Sequence, residues 1–271
     1  MTNGGQFRAV VIASLMALAA MAGEARAAQC GNGAAGFEAW KRQFADEARA
    51  RGASASAISA LMGTSYASAT IAADRGQRSF RLSLDQFLAK RGGQAIVAGG
   101  RARKQSDAGL FASLEQRYGV PPGPLLAIWG METAFGAQRG NQHMLSAVAT
   151  LAYDCRRSAF FTDHLYAALT LIDRGVLSAN TRGSMHGEVG HTQFLPKNIL
   201  NYGTGGSLDN AANALAATAN FLRAHGWTRG AGYQPGEPNF AAIQAWNAAS
   251  VYQRAIAIIG RQIDGEGSSR R

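Results

Sequence analysis

The 271-residue chain has no long stretch in which apolar and polar residues alternate, and no internal repeat. Without that alternation nothing points to extended, half-buried strands, and helical spacing governs the chain. Several signatures of chemistry are missing too. No G-x-S-x-G run offers a serine nucleophile at a strand-to-helix turn. His186 and His191 stand five residues apart, which does not place them on one helical face for a metal ion. Gly203-Thr204-Gly205-Gly206 lacks the lysine of a phosphate loop and reads as a turn. Charged residues are only 16%, and the densest basic run, Arg101-Ala102-Arg103-Lys104, has no aromatic residues between its charges. It therefore reads as a solvated helix face and not as a nucleic-acid surface.

What is present fits an exported protein. Arg8 supplies a positive n-region, and Ala9 to Ala22 is apolar, as long as a signal-peptide core and too short to span a membrane. Ala25-Arg26-Ala27 then gives a small-x-small cleavage pattern, so 1–27 is expected to be a signal peptide and Ala28 the first mature residue. The alternative is an uncleaved anchor. Gln29, directly before Cys30, is neither small nor apolar, which argues against acylation of that cysteine. Loss of Arg8, Glu24 and Arg26 takes the formal charge from +10 to +9, a balance that suits an anionic polymer or surface. Cys30 and Cys155 are the only cysteines. In an oxidising compartment they read most simply as one disulfide, the alternative being two unpaired buried thiols. The bridge would close a loop of about 125 residues, for which loop entropy contributes on the order of 4–5 kcal/mol. It also argues against Cys155 as a thiol nucleophile.

Hydrophobic residues are 47%, enough for a substantial core, and the many alanines favour close-packed helices. Phe37, Trp40, Phe44 and Ala48 fall on one face of a first helix. Ser54 is placed to cap a second, carrying Ile58 and Leu61, and Leu84, Phe87 and Leu88 suggest a third. Gly92-Gly93 and Gly99-Gly100 are expected to break the pattern, with a boundary near 100–105 between an N-terminal helical region, 28–104, and a second domain, 105–271. Leu110, Leu114 and Tyr118 form a stripe ending at Gly119, a good C-cap. Pro121, Pro122 and Pro124 open an apolar helix, Leu125 to Phe135, stopped by Gly136. Phe161, Leu165, Leu169 and Ile172 mark another face. Asp209 is placed to cap a helix with Leu215 and Leu222, followed by Gly226, and Phe240 to Ile259 holds one or two more helices. The fold class is all-α, with room for a small hairpin or irregular loops around 175–206.

Three segments carry candidate chemistry. Glu132 lies in an otherwise apolar helix, with Ile128 and Trp129 one turn back on its own face. A carboxyl held there is partly desolvated, which raises its pKa and suits a general acid. The bland alternative is a helix-end glutamate in solvent or paired with a buried arginine. Gly190-His191-Thr192-Gln193-Phe194-Leu195-Pro196 mixes small, polar and aromatic residues, either as a site-forming turn in which Gln193 offers a donor and an acceptor or as a helix start with a buried aromatic. Trp246-Asn247, with Tyr252 further on, could stack on a sugar ring and bind an acetamido group; otherwise Trp246 is core.

Taken in order, these segments resemble a known pattern. Ile128-Trp129-Gly130-Met131-Glu132-Thr133, with Phe135-Gly136, resembles the catalytic-helix signature of the lytic murein transglycosylase B family. Ala149-Thr150-Leu151-Ala152-Tyr153 before Arg156-Arg157 and Phe160-Phe161 is similar to the stretch beyond the catalytic helix in that family. So are Gly183-Ser184, the Gln193 segment, Ala219-Asn220-Phe221-Leu222 with His225-Gly226-Trp227, and Trp246-Asn247 with Tyr252. The likeness is strongest over 105–262 and weaker over 37–104.

The resemblance implies a lysozyme-like helical core with an N-terminal helical extension, a periplasmic location, and peptidoglycan glycan strands as the partner, with no cofactor, no nucleic acid, no transmembrane helix in the mature chain and a monomeric state. It implies that Glu132 is the acid/base, that Arg156, Arg157, Ser184 and Gln193 line the binding groove, and that Asn247 and Tyr252 help hold the reacting sugar, with Trp246 beside them as a substrate-binding candidate. The reaction implied is non-hydrolytic cleavage of the MurNAc-GlcNAc β-1,4 bond, leaving a 1,6-anhydromuramyl end. The rivals are a lysozyme-like muramidase that hydrolyses the bond, and a peptidoglycan-binding protein without activity. Some positions depart from the family. Phe160 stands where tyrosine is frequent. His186 and Glu188 stand in a stretch that is mostly small and apolar in relatives; Glu188 is either a second titrating group near the site or points away. Some relatives carry a calcium loop after the Gln-Phe motif, but Asn201 to Asp209 has few oxygen ligands, so no metal is expected.

Overall fold

A computed structural model of the chain describes residues 28–76 and 82–265; the expected signal peptide lies outside these residues. Among the described residues there are thirteen α-helices, one short 3-10 turn and a two-strand sheet, in keeping with the all-α reading. The first helices are α1 (Phe37–Ala50), α2 (Ala55–Met62), α3 (Ser68–Arg75), α4 (Leu84–Arg91) and α5 (Gly93–Ser106). Beyond them come α6 (Ala108–Tyr118), α7 (Pro122–Thr133), α8 (Met144–Tyr153), α9 (Ser158–Asp173), α10 (Pro196–Tyr202), α11 (Ala211–Ala224), α12 (Phe240–Trp246) and α13 (Ser250–Asp264). Strands β1 (Gln142–His143) and β2 (Arg182–Gly183) pair antiparallel, Gln142 opposite Gly183. Only β2 falls in the region where a hairpin was anticipated. Its partner comes from just before α8, and the loop's own pairing is an isolated bridge between Val189 and Phe194.

The helical spacings read from the sequence place their apolar faces inward. Phe37, Trp40, Phe44 and Ala48 of α1 are all buried, and Trp40 packs against Phe44 and Tyr153. Lys41, also buried, donates from Nζ to the carbonyls of Met62 and Thr64 and so satisfies the open end of α2. Ser54 caps α2 by accepting from Ala57 N at 3.2 Å. At α11 the cap is Asn210, whose side chain accepts from Asn213 N. Asp209, expected in that role, instead pairs with Arg139 at 2.8 Å.

Helix α7 is apolar on all sides and runs through the core: Gly123 to Met131 are buried. It lies against α5 and α13, and the crossings are close enough to exclude side chains. A Cβ on Gly123 would come 2.3 Å from Gly260 O of α13, and one on Gly100 would come 2.4 Å from Ile263. The glycines expected to interrupt the helical pattern therefore do so only at Gly92, which takes a left-handed conformation at φ 68°. Gly99 and Gly100 lie inside α5, and the anticipated boundary near 100–105 falls within that helix. The start of α7 is pinned by Asp264 of α13, whose buried carboxylate accepts from Gly123 N at 2.8 Å and Tyr233 OH at 2.7 Å. The basic run on α5 works with the same end of α13. Arg101 donates to Gln262 O and Lys104 to Asp264 O, while Arg103 lies over the Phe135 ring at 4.2 Å. Its charges thus cap a helix C-terminus and do not form a merely solvated face.

Cys30 and Cys155 form the disulfide. It joins the segment before α1 to the turn after α8, where Gly31 and Asp154 also bridge through their backbones.

Candidate active site

Glu132 occupies the last turn of α7. After it the chain leaves the helix through Ala134 and Phe135, both left-handed at φ 48° and 59°. Such conformations cost energy in residues other than glycine and tend to mark functional places. Thr133 steadies the turn: its hydroxyl donates to His191 O at 2.7 Å and accepts from Gly136 N at 2.9 Å. Trp129 Nε1 donates to His191 Nδ1 at 3.0 Å. That contact makes Nδ1 the acceptor, so the ring proton sits on Nε2, which faces Asp209 O at 3.1 Å. The Gln193 segment is thereby tied to the Glu132 helix through His191.

The Glu132 carboxylate is largely enclosed, and Oε1 accepts two hydrogen bonds, from Tyr252 OH at 2.7 Å and from Trp246 Nε1 at 3.1 Å. Among the described residues no donor meets Oε2. Burial pushes the Glu132 pKa up to about 7 from its ordinary 4.5, and the negative charge of Glu188 adds to this, against the lowering effect of Tyr252, Trp246 and Arg91. Tyr252 is buried, and burial and the Glu132 charge raise its pKa well above the usual value, so it stays a donor. Phe87 packs edge-on against the Tyr252 ring at 5.7 Å, and the Arg91 guanidinium sits 5.9 Å from it. Trp246 is held by Phe194 at 5.3 Å and Phe221 at 5.1 Å. Its place is both core and site.

Ser184, also expected in the groove, donates from Oγ to Glu188 Oε2 at 2.6 Å and accepts from the backbone N–H groups of His186 and Glu188. The negative charge of Glu188 bears on both Glu132 and Tyr252 and raises the pKa of each. Gln193, at φ 55°, donates from Nε2 to Gly190 O at 2.8 Å and Arg139 O at 3.3 Å. It is joined to the Glu132 neighbourhood through Phe194 and Trp246. Asn247 is not brought against Glu132. Its Oδ1 accepts from Ala249 N at 2.9 Å and its carbonyl from Gln253 Nε2, so it shapes the turn that starts α13 and places Tyr252. Arg156 and Arg157 form a pair on the carboxylate of Asp74. Phe160 is 49% exposed, with Arg157 over its ring.

The sequence marks Phe87 only as part of a helix face and gives no sign of Arg91 or Asp74. All three come from the N-terminal helices, and each looks locally like an ordinary helix residue. The concavities bounded by Glu115, Tyr233 and Arg261, and by Leu88, Gly92 and Ile259, do not include Glu132 or its partners. Among the described residues no helix is long and apolar enough to cross a membrane.

One enclosed carboxyl that titrates near neutrality, with one oxygen fixed by two donors, is equipped to give up a proton and take one back. Comparisons with known proteins bear on what it acts on. The profile of the Transglycosylase SLT domain family matches residues 36–236. The chain is 34% identical over 139 residues to membrane-bound lytic murein transglycosylase B of Escherichia coli strain K12, a match covering 46% of this chain and 38% of that protein. Among solved structures, SltB3 of Pseudomonas aeruginosa in complex with NAG-anhNAM-pentapeptide matches with a TM-score of 0.77 at 27% identity, covering 84% of this chain and 80% of that one. Escherichia coli Slt35 in complex with bulgecin A matches with a TM-score of 0.73 at 22% identity, over 88% and 96%; this second likeness is one of fold alone.

Proposed function

The chain belongs to the transglycosylase SLT domain family, and from that premise we propose that it is an exported, periplasmic lytic transglycosylase that cleaves peptidoglycan glycan strands, with Glu132 as its single acid and base. The observation that carries this reading is the Glu132 carboxyl itself, held on Oε1 by Tyr252 and Trp246 in a setting whose burial pushes its pKa up to about 7. Supporting it are the likeness to a murein transglycosylase of Escherichia coli and to a Pseudomonas aeruginosa structure that holds an anhydromuramyl ligand.

In the proposed reaction, protonated Glu132 gives its proton to the glycosidic oxygen between N-acetylmuramic acid and N-acetylglucosamine. The substrate's own acetamido group supports the positive charge that develops at the anomeric carbon. The Glu132 carboxylate, stabilised at that moment by Tyr252 and Trp246, then takes the proton of the muramyl 6-hydroxyl as this oxygen attacks the anomeric carbon. A 1,6-anhydromuramyl end forms, no water is consumed, and Glu132 is protonated again. Arg156 and Arg157 bind the anionic parts of the strand. The test is digestion of purified sacculi by the wild-type protein and by Glu132→Gln. The wild type releases soluble muropeptides and the folded Gln variant releases none; undiminished release by the variant defeats the assignment.

One observation favours a second reading. Glu188 brings another carboxylate within electrostatic reach of Glu132, and hydrolytic glycosidases work with a pair. Under that reading Glu188 activates a water molecule and the products carry reducing ends. Its sign is a reducing-end product that disappears in Glu188→Gln.

A further inference from the structure

Asp74 lies in the last turn of α3, and its side chain is only 2% exposed. Two guanidinium groups share it. Arg156 Nη2 donates to Oδ2 and, at 3.2 Å, to the Asp74 carbonyl; Arg157 Nη1 donates to Oδ1 at 3.0 Å. The His186 ring is 3.9 Å from the same Oδ1. The neighbouring Arg75 makes the reciprocal contact, donating to Asp154 Oδ2 at 2.7 Å, while Asp154 Oδ1 accepts from Arg156 N at 3.1 Å. The turn carrying both arginines is thus held by two buried aspartates, by the Cys30–Cys155 disulfide and by backbone bonds to Gly31.

The arginine side chains remain 44% and 34% exposed. Each guanidinium has five N–H donors in a rigid plane, and Asp74 engages one nitrogen of each. Among the described residues the remaining guanidinium donors meet no side-chain acceptor. Arg157 is oriented further by lying over the Phe160 and Phe161 rings at 5.2 and 4.8 Å. Two cations side by side repel one another, and a buried carboxylate between them offsets the repulsion and sets their direction. As a source of stability such a pair is weak, because desolvation of the carboxylate opposes the attraction. Its geometry suits orientation better.

We infer that Asp74 is a positioning residue for substrate binding: from the N-terminal helices it holds Arg156 and Arg157 side by side, with their free donors set to meet the carboxylates of a peptide-bearing glycan. This rests on the proposed function for the identity of the ligand. It does not involve the proton chemistry of Glu132, and so it predicts an effect on binding and not on turnover.

The experiment compares wild type, Asp74→Asn, Asp74→Glu, Arg156→Ala/Arg157→Ala and the triple variant on purified sacculi, with far-UV circular dichroism to establish folding. Asp74→Asn is expected to raise the half-saturating sacculus concentration about tenfold with a maximal rate within about twofold of wild type. Asp74→Glu recovers part of the loss, and Asp74→Asn adds nothing further to the arginine double variant. A folded Asp74→Asn that loses maximal rate at unchanged half-saturation, or whose effect adds to that of the arginine variants, overturns the inference. Release of no muropeptide by the wild type counts against the proposed reaction instead. In that case co-sedimentation with sacculi reads the Asp74 claim alone, with the same tenfold weakening expected and unchanged binding refuting it.

Discussion

Tyr252→Phe removes one hydroxyl from the site and little else. The ring stays packed between Phe87 and Arg91, while Glu132 Oε1 loses a donor at 2.7 Å and keeps Trp246 at 3.1 Å. A hydrogen bond to a charged acceptor is worth about 1.5–3 kcal/mol and one between neutral groups about 0.5–1.5. The hydroxyl therefore favours the carboxylate over the acid by about 1–1.5 kcal/mol, close to one pH unit. Donors to a carboxylate lower its pKa, so removing this one raises it. Glu132 must be protonated to begin the reaction, and its pKa near 7 sets the basic limb of kcat/KM. In Tyr252→Phe that limb moves up by about one pH unit, and kcat falls because the carboxylate formed in mid-reaction is less well stabilised. Initial rates of sacculus clearing from about pH 5 to 9, in both proteins, measure the shift. A limb that stays in place or moves to lower pH refutes the assignment of Tyr252 as the donor that tunes Glu132.

The neighbouring charge acts in the opposite sense: Glu188 raises the Glu132 pKa, so Glu188→Gln moves the basic limb of the same profile to lower pH. Glu132→Gln is expected to stabilise the fold. The native carboxyl lies near 7 against an ordinary 4.5, so its contribution is fully present below about pH 4.5 and is lost as pH rises through about 7. Above that pH, relief of the buried charge is worth about 2–3 kcal/mol, seen as a higher Tm for the variant at pH 8 and little difference at pH 4.5. Removing the Cys30–Cys155 bridge with the double serine variant frees a loop of 125 residues and is expected to cost about 4–5 kcal/mol in a denaturant titration.

The parts of the site that could be read in advance are those whose evidence is local. Glu132 announces itself as the one acidic residue in an apolar helix, and Trp246 and Tyr252 emerge from an ordered set of short motifs. Helix faces such as Phe37, Trp40 and Phe44 were legible because periodicity reports burial directly. Asp74 was not legible, since its meaning depends on arginines 82 and 83 positions later, and no local spacing carries such a pairing. Arg91 was missed for the same reason. Gly99 and Gly100 were misread as a break because glycine serves both to end a helix and to let another helix approach, and only the presence of Ile263 and Phe135 separates the two. Asp209 and Asn210 are both good caps in isolation; the nearby Arg139 draws the first away. For Asn247, a side chain suited to an acetamido group is equally suited to a turn, and its Oδ1 accepts from Ala249 N at the start of α13.

Mass spectrometry of the soluble products from digested sacculi tests the central claim most directly, because transglycosylation and hydrolysis differ by one water. If Glu132 acts alone as acid and then base, the wild-type protein yields muropeptides ending in 1,6-anhydromuramic acid and the folded Glu132→Gln variant yields none. Reducing muramyl ends from the wild type, or anhydro ends from the Gln variant, contradict it.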